Sequence, residues 1–204
     1  GFSLKNKLLF DAASGLAISE DNGVSFNKFK GPVLDKGVDD PCFAASPCVI
    51  KEKKEWRMWY VSCDHWEKIN QEYRHFYNIK YRKSKDGIYW DNQAKICIDY
   101  KNEYEYAISR PYVKYLKNKY LMWYSFRAQK KVFTYRIGYA ESVNGIDWVR
   151  KDNHSGIDVS QSGWDSEMIC YPFVFLHKDN LYMLYNGNGY GKTGFGIAIA
   201  EENI

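Results

Sequence analysis

The sequence lacks the features that define several common classes. No useful length of it repeats apolar residues at a helical period, which excludes a helical bundle or α-solenoid. It has no apolar run of bilayer-spanning length and nothing resembling a signal peptide. Cysteine is scarce: Cys42, Cys48, Cys63, Cys97 and Cys170 make an odd number with no C-x-x-C pair. Neither a disulfide framework nor a metal site is expected, no cofactor is implied, and a reducing, cytoplasmic setting is the natural one. His65, His75, His154 and His177 show no ligand spacing, and no Ser-His-Asp or Cys-His arrangement is legible. Charge of one sign is missing too. The 29 basic and 25 acidic residues are interspersed without a basic run, so neither nucleic acid nor membrane is an expected partner.

What is present is a repeat. Ser46-Pro47, Arg110-Pro111 and Tyr171-Pro172 each open an apolar run, and twelve residues after each proline stands Trp59-Tyr60, Trp123-Tyr124 or Leu184-Tyr185. A third run follows (Asn78–Tyr81, Arg136–Tyr139, Gly196–Ile199), then a turn and an aromatic in Ser84–Trp90 and Ser142–Trp148, with a related copy at Ser19–Phe26. The prolines are 64 and 61 residues apart. Several short strands at a period near 60 are the signature of propeller blades. The Asp-Gly and Asn-Gly steps supply the positive φ of tight hairpins. The reading is all-β: one β-propeller domain of antiparallel sheets over residues 1–204, about three and a half blades. The units are 1–37 (partial), 38–102, 103–163 and 164–204. In the partial unit, strands are expected over Phe2–Phe10, Gly15–Ser19 and Phe26–Phe29. The second unit carries a polar insertion from Asp64 to Arg74.

Acids recur just ahead of the proline-led strands, where a propeller's inner strands enter its central funnel. Asp40 and Asp165 lie seven residues before their prolines, Glu105 six and Glu167 five. Two converging carboxyl groups, one protonating the leaving oxygen and one serving as base or nucleophile, are what glycoside cleavage needs. Glu167 is the leading candidate for the proton donor and Asp40 or Asp165 for the base; Asp39-Asp40 and Asp165 could instead be solvated loop acids or turn caps. Arg110 can hold a carboxylate, phosphate or sugar hydroxyls by its planar fork, or pair with a neighbouring acid. Arg127 and Arg136 read as surface residues. The recurring Trp59, Tyr60, Trp123, Tyr124 and Tyr185 read as core. Aromatics outside the repeat (Trp66, Tyr104, Tyr106, Trp164, Tyr190) suit sugar platforms. Asn186 and Asn188, in a Gly-rich corner, can reach a ligand. That corner is not a phosphate loop, because residue 186 is Asn where the motif needs Gly and a strand follows it.

The proline-led strand, the Trp-Tyr strand, Arg136–Trp148 (RIGYAESVNGIDW) and the segment from Trp164 resemble the five-bladed propeller glycosidases: the superfamily of invertase, levansucrase and arabinanase, with its family 43 and 130 relatives. The resemblance implies a carbohydrate-active enzyme, hydrolase or phosphorylase, with a saccharide ligand. A five-bladed member needs about 300 residues at about 60 per blade. On that count the first blade and half of the second precede this chain. A non-catalytic saccharide binder, or an inactive fragment that self-associates through an incomplete propeller edge, are the alternatives. Ser19–Phe26 also matches the Asp-box of sialidase-like propellers, which is a structural turn.

Overall fold

The structure, a computed structural model, describes residues 11–69, 71–130 and 132–200. The strand expected over Phe2–Phe10 lies outside the described residues. The chain opens with a hairpin of β1 (Ser14–Ile18) and β2 (Asn27–Leu34). An antiparallel meander follows: β3 (Phe43–Lys51), β4 (Trp56–Ile69), β5 (Glu72–Ser84) and the short β6 (Lys95–Ile98). A second meander runs through β7 (Glu105–Leu116), β8 (Lys119–Ala128), β9 (Arg136–Ser142) and β10 (Val149–Arg150). A single parallel bridge, Tyr77 to Ala107, joins the two meanders into one sheet. The third sheet comprises β11 (Cys170–His177), β12 (Asn180–Asn186) and β13 (Phe195–Ile199). Among the described residues, helix is limited to one 3-10 turn at Asp152–His154 and a four-residue turn at Asn188–Gly191. The insertion Asp64–Arg74 is not an irregular loop. It continues β4 and β5 as a paired hairpin out to Ile69 and Glu72, which satisfies its backbone groups in a ladder.

The repeated turn is built by side chains. Ser84 Oγ accepts from the N–H of Gly87 at 2.9 Å, and Asp86 Oδ1 accepts from Ile88 and Tyr89 N–H, each at 2.9 Å. Ser142 and Asn144 repeat the pattern with Gly145, Ile146 and Asp147. Gly87 and Gly145 sit at φ 78° and 75°, where a side chain is strained. The turns also join units: the Trp59 indole N–H donates to Gly145 O at 2.7 Å.

The middle-strand tyrosines explain two further glycines. Tyr124 lies opposite Gly138, and Tyr185 opposite Gly196. A Cβ on Gly138 would stand 2.6 Å from Tyr124 Cζ and 2.8 Å from Asp152 Oδ1. Gly138→Ala should therefore lower stability by about 1–3 kcal/mol, the usual cost of overpacking a filled site. The check is a denaturant melt against the parent protein, and an unchanged midpoint would mean that the ring can move aside.

The three prolines mark three matching β-bulges. Pairing runs Ala45↔Val61 and then Cys48↔Trp59, Ser109↔Ser125 and then Tyr112↔Trp123, Cys170↔Asn186 and then Phe173↔Leu184. Each proline-led strand carries one more residue than its partner there. Proline has no N–H to give the ladder, so it fits where the ladder is interrupted. The residue before each proline takes a left-handed conformation: Ser46 at φ 51°, Arg110 at 51° and Tyr171 at 59°. Such strain in non-glycine residues costs on the order of 1–3 kcal/mol each and gathers at functional sites. The bulged strands neighbour one another, β3 against β7 and β7 against β11. Between them lies a core drawn from all three meanders, including Phe43, Tyr77, Tyr106, Tyr135, Met168 and Cys170.

Candidate functional site

At the bulges the chain assembles a cluster of tyrosines and guanidinium groups. The Arg110 guanidinium lies over the Tyr171 ring, 4.5 Å from its centre. Tyr171 stacks on Tyr190 at 6.1 Å, and Tyr135 stands 6.0 Å from both. Arg127 lies 4.8 Å from the Tyr135 ring centre and 5.1 Å from that of Tyr106, and donates to the Tyr190 hydroxyl at 3.1 Å. Arg74 covers Tyr106 at 5.3 Å. Tyr77 and Tyr135 share a hydroxyl–hydroxyl hydrogen bond. Burial raises the phenols of Tyr77, Tyr135 and Tyr171 above the ordinary tyrosine range, so they are neutral at pH 7. Burial, aided by the charge of Arg127, lowers His75 to about 4, and its neutral ring stacks on Tyr77 at 4.8 Å.

Glu167 borders this cluster. Its N–H donates to Asn188 Oδ1 at 2.8 Å, and its carbonyl accepts from Thr134 Oγ1 and from Arg136 Nη1. Its backbone is thus fixed on three sides. Its exposed carboxylate makes no hydrogen bond or ion pair among the described residues. The corner that holds it also displays Tyr190, whose carbonyl accepts from Asn186 Nδ2 at 3.3 Å. The next residue, Met168, is buried in the same core as Tyr135.

The other acids have partners of their own. Asp40 is wholly buried, with both oxygens on the Tyr60 hydroxyl at 3.1 Å and one on Arg82 at 2.9 Å. Glu105, 4% exposed, takes both Nη groups of Arg150 at 2.7 and 2.9 Å, while Arg150 also pairs with Asp152 at 2.8 Å. Asp165 is buried with one oxygen on the Tyr185 hydroxyl at 3.1 Å. Tyr60, Tyr124 and Tyr185 occupy one position of the repeat, and each meets a carboxylate: Asp40, Asp152 and Asp165 respectively. No hydrogen bond or ion pair links Asp40, Asp165 and Glu167 to one another among the described residues.

The remaining candidates divide in the same way. Trp164 stacks on Tyr185 at 5.6 Å over Gly187 and Gly196, as part of the third sheet's face. Tyr104 is half-buried under Lys130, 3.9 Å from its ring centre. Tyr106 is buried, and so is no open platform. Trp66 packs edge-on against His75 at 4.8 Å. Asn188 is committed to the backbone of Glu167, Met168 and Gly163, which makes it a clamp on the loop. Arg110 has no carboxylate partner among the described residues. Arg127 is not a surface residue: its strand delivers it among the tyrosines, with Nε buried and without a hydrogen-bond partner. Tyr171 was legible as the third member of the series Ser46, Arg110, Tyr171 before the prolines. Tyr77 and Tyr135 carried no such signal.

An aliphatic groove lies between the second and third sheets, lined by Leu121, Val174, Met183 and Ala198 among others. It continues the packing of the core around Val174, and the polar side chains that line it include Lys119, Tyr139 and Glu141, the first two donating hydrogen bonds to the third. Among the described residues no group of His, Cys, Asp and Glu could hold a metal ion, and no helix is long and apolar enough to cross a membrane.

No protein-family model matches the chain. The chain is 39% identical over 203 residues to an uncharacterised protein, Rv1502, of Mycobacterium tuberculosis H37Rv, covering 99% of this chain and 66% of that one. It thus spans 66% of the length of the curated relatives it matches. Among solved structures it is similar to the sucrose-6-phosphate hydrolase of Lactobacillus gasseri, with a TM-score of 0.67 at 12% identity over 87% of this chain and 36% of that one. It is also similar to Zg3597, a family 117 glycoside hydrolase of Zobellia galactanivorans, with a TM-score of 0.58 at 16% identity over 78% and 52%. The fold is that of the β-propeller glycosidases.

Proposed function

We propose that this chain carries the saccharide site of a glycoside hydrolase or a related carbohydrate-active enzyme, at the mouth formed by Arg110, Tyr171, Tyr190 and Glu167. The observation that carries the reading is the unpartnered Glu167 carboxylate, held on a fixed backbone beside stacked tyrosines. A ring face packs on the C–H face of a sugar while hydroxyls and guanidinium groups bind its rim. Glu167 is the general acid that protonates the leaving oxygen. Of the two base candidates, the contacts favour Asp165: one of its oxygens meets Tyr185, and the other has no partner among the described residues. Asp40 has both oxygens engaged, which supports a packing role for it.

Turnover of aryl glycosides and oligosaccharides tests the reading. Glu167→Gln should lower kcat about 10²–10⁴-fold with little change in substrate affinity, since it removes only the proton. Unchanged turnover of an accepted substrate would remove Glu167 from the chemistry. Binding without turnover would favour the second reading, a non-catalytic saccharide-binding propeller, to which the engaged state of Asp40 lends support.

A third reading, self-association, draws on β13. Phe195, Ile197 and Ile199 alternate along it at 75%, 57% and 54% exposure, so one face of the strand is apolar and open. A monomer by sedimentation at high concentration would count against that reading.

A further inference from the structure

The arginines of this chain divide sharply. Four of the seven have carboxylate partners: Arg57 with Glu52 and Glu55, Arg82 with Asp39 and Asp40, Arg136 with Asp158, and Arg150 with Glu105 and Asp152. The other three, Arg74, Arg110 and Arg127, have none among the described residues, and all three lie in the tyrosine cluster. Arg74 and Arg127 flank the same ring, Tyr106, at 5.3 and 5.1 Å. Arg127 reaches the Tyr190 hydroxyl, and Tyr190 stacks on the Tyr171 ring that Arg110 covers. The buried Nε of Arg127 has no hydrogen-bond partner, and tyrosine faces screen a positive charge without neutralising it. Like charges gathered in a partly desolvated place without counter-charge are unfavourable unless an anion completes them.

We infer that the saccharide taken at this mouth is acidic, its carboxylate, phosphate or sulfate oxyanion held by Arg110 and Arg127 beside Tyr171 and Tyr190. This rests on the saccharide reading above and narrows it. Arg110 is exposed and its planar fork matches a two-oxygen anion. Arg127 is held deeper and supplies the second positive group, with the field of Arg74 behind it. A neutral sugar would leave all three charges as they stand.

Calorimetric titration of the protein with galactose, galacturonic acid, galactose 6-phosphate, galactose 6-sulfate and inorganic phosphate, and with the matching glucose series, tests it. At least one acidic sugar should bind about tenfold or more tighter than its neutral counterpart, as charge-assisted hydrogen bonds provide. Added salt should erode that margin. Arg110→Gln, a change at an exposed side chain, should abolish the margin while leaving the melt intact. The acidic member that binds identifies the oxyanion. Equal affinity for neutral and acidic sugars would overturn the inference and leave the saccharide reading standing. Inorganic phosphate binding as tightly as the sugar phosphate would overturn it in favour of a plain anion site. Binding of no member would also overturn it, while the Glu167→Gln turnover comparison decides the enzymatic reading separately.

Discussion

Arg82→Ala should destabilise the protein by about 3–5 kcal/mol, the typical consequence of removing one partner of a buried ion pair. Asp40 is wholly buried, and the Arg82 side chain is only 12% exposed. Without the guanidinium, a carboxylate shut off from water keeps only the Tyr60 hydroxyl. At this chain length the loss corresponds to a fall in melting temperature on the order of 10 °C. Adding Asp40→Asn should recover part of it, because the amide oxygen can still accept from Tyr60 while the stranded charge is gone. A double variant no more stable than Arg82→Ala would show that the guanidinium acts through packing on the Tyr60 ring, which it covers at 5.9 Å. If Asp40 served chemistry instead, its removal would relieve strain and leave stability unchanged or improved.

Arg150→Ala should cost as much, for a related reason. Arg150 spans Glu105 and Asp152 on one guanidinium, and the two acids are 4% and 10% exposed. Removing it leaves the Glu105 carboxylate with no cationic partner among the described residues, and Asp152 with only the exposed Lys101 at 3.7 Å. The loss should be about 3–5 kcal/mol in a denaturant melt. Glu105→Gln in the same chain should restore part of it by removing one of the two like charges. Arg150→Lys should restore less, since an ammonium cannot make the two-pronged contact with Glu105 while reaching Asp152. A loss below about 1 kcal/mol would place this network among solvated surface pairs.

These networks also explain what the sequence could and could not disclose. The meanders were legible because a spacing repeated without gaps and turns with fixed chemistry are local signals: Ser84–Gly87 and Ser142–Gly145 close their own hydrogen bonds within four residues. The positions of the acids were legible too, but their contacts were not. Whether Asp40 meets solvent or Arg82 depends on a residue 42 positions away, on a strand face that only the register defines. Arg127 illustrates the reverse. A charge near a strand end reads as surface, yet Tyr106 of β7, Tyr135 ahead of β9 and Tyr190 of the corner between β12 and β13 surround it with rings from three separate segments. The bulges lie between these cases. The prolines announced them, whereas the left-handed backbone before each proline runs against the local preference of that position and is held by the sheets around it.

The most direct measurement is a crystal structure of Glu167→Gln with a saccharide that the variant binds but does not turn over. A sugar ring against Tyr171 and Tyr190, with its glycosidic oxygen within about 3 Å of the residue 167 amide, is the expected result. A sugar seated in the groove between Leu121 and Met183, or one whose glycosidic bond is remote from residue 167, would contradict the account.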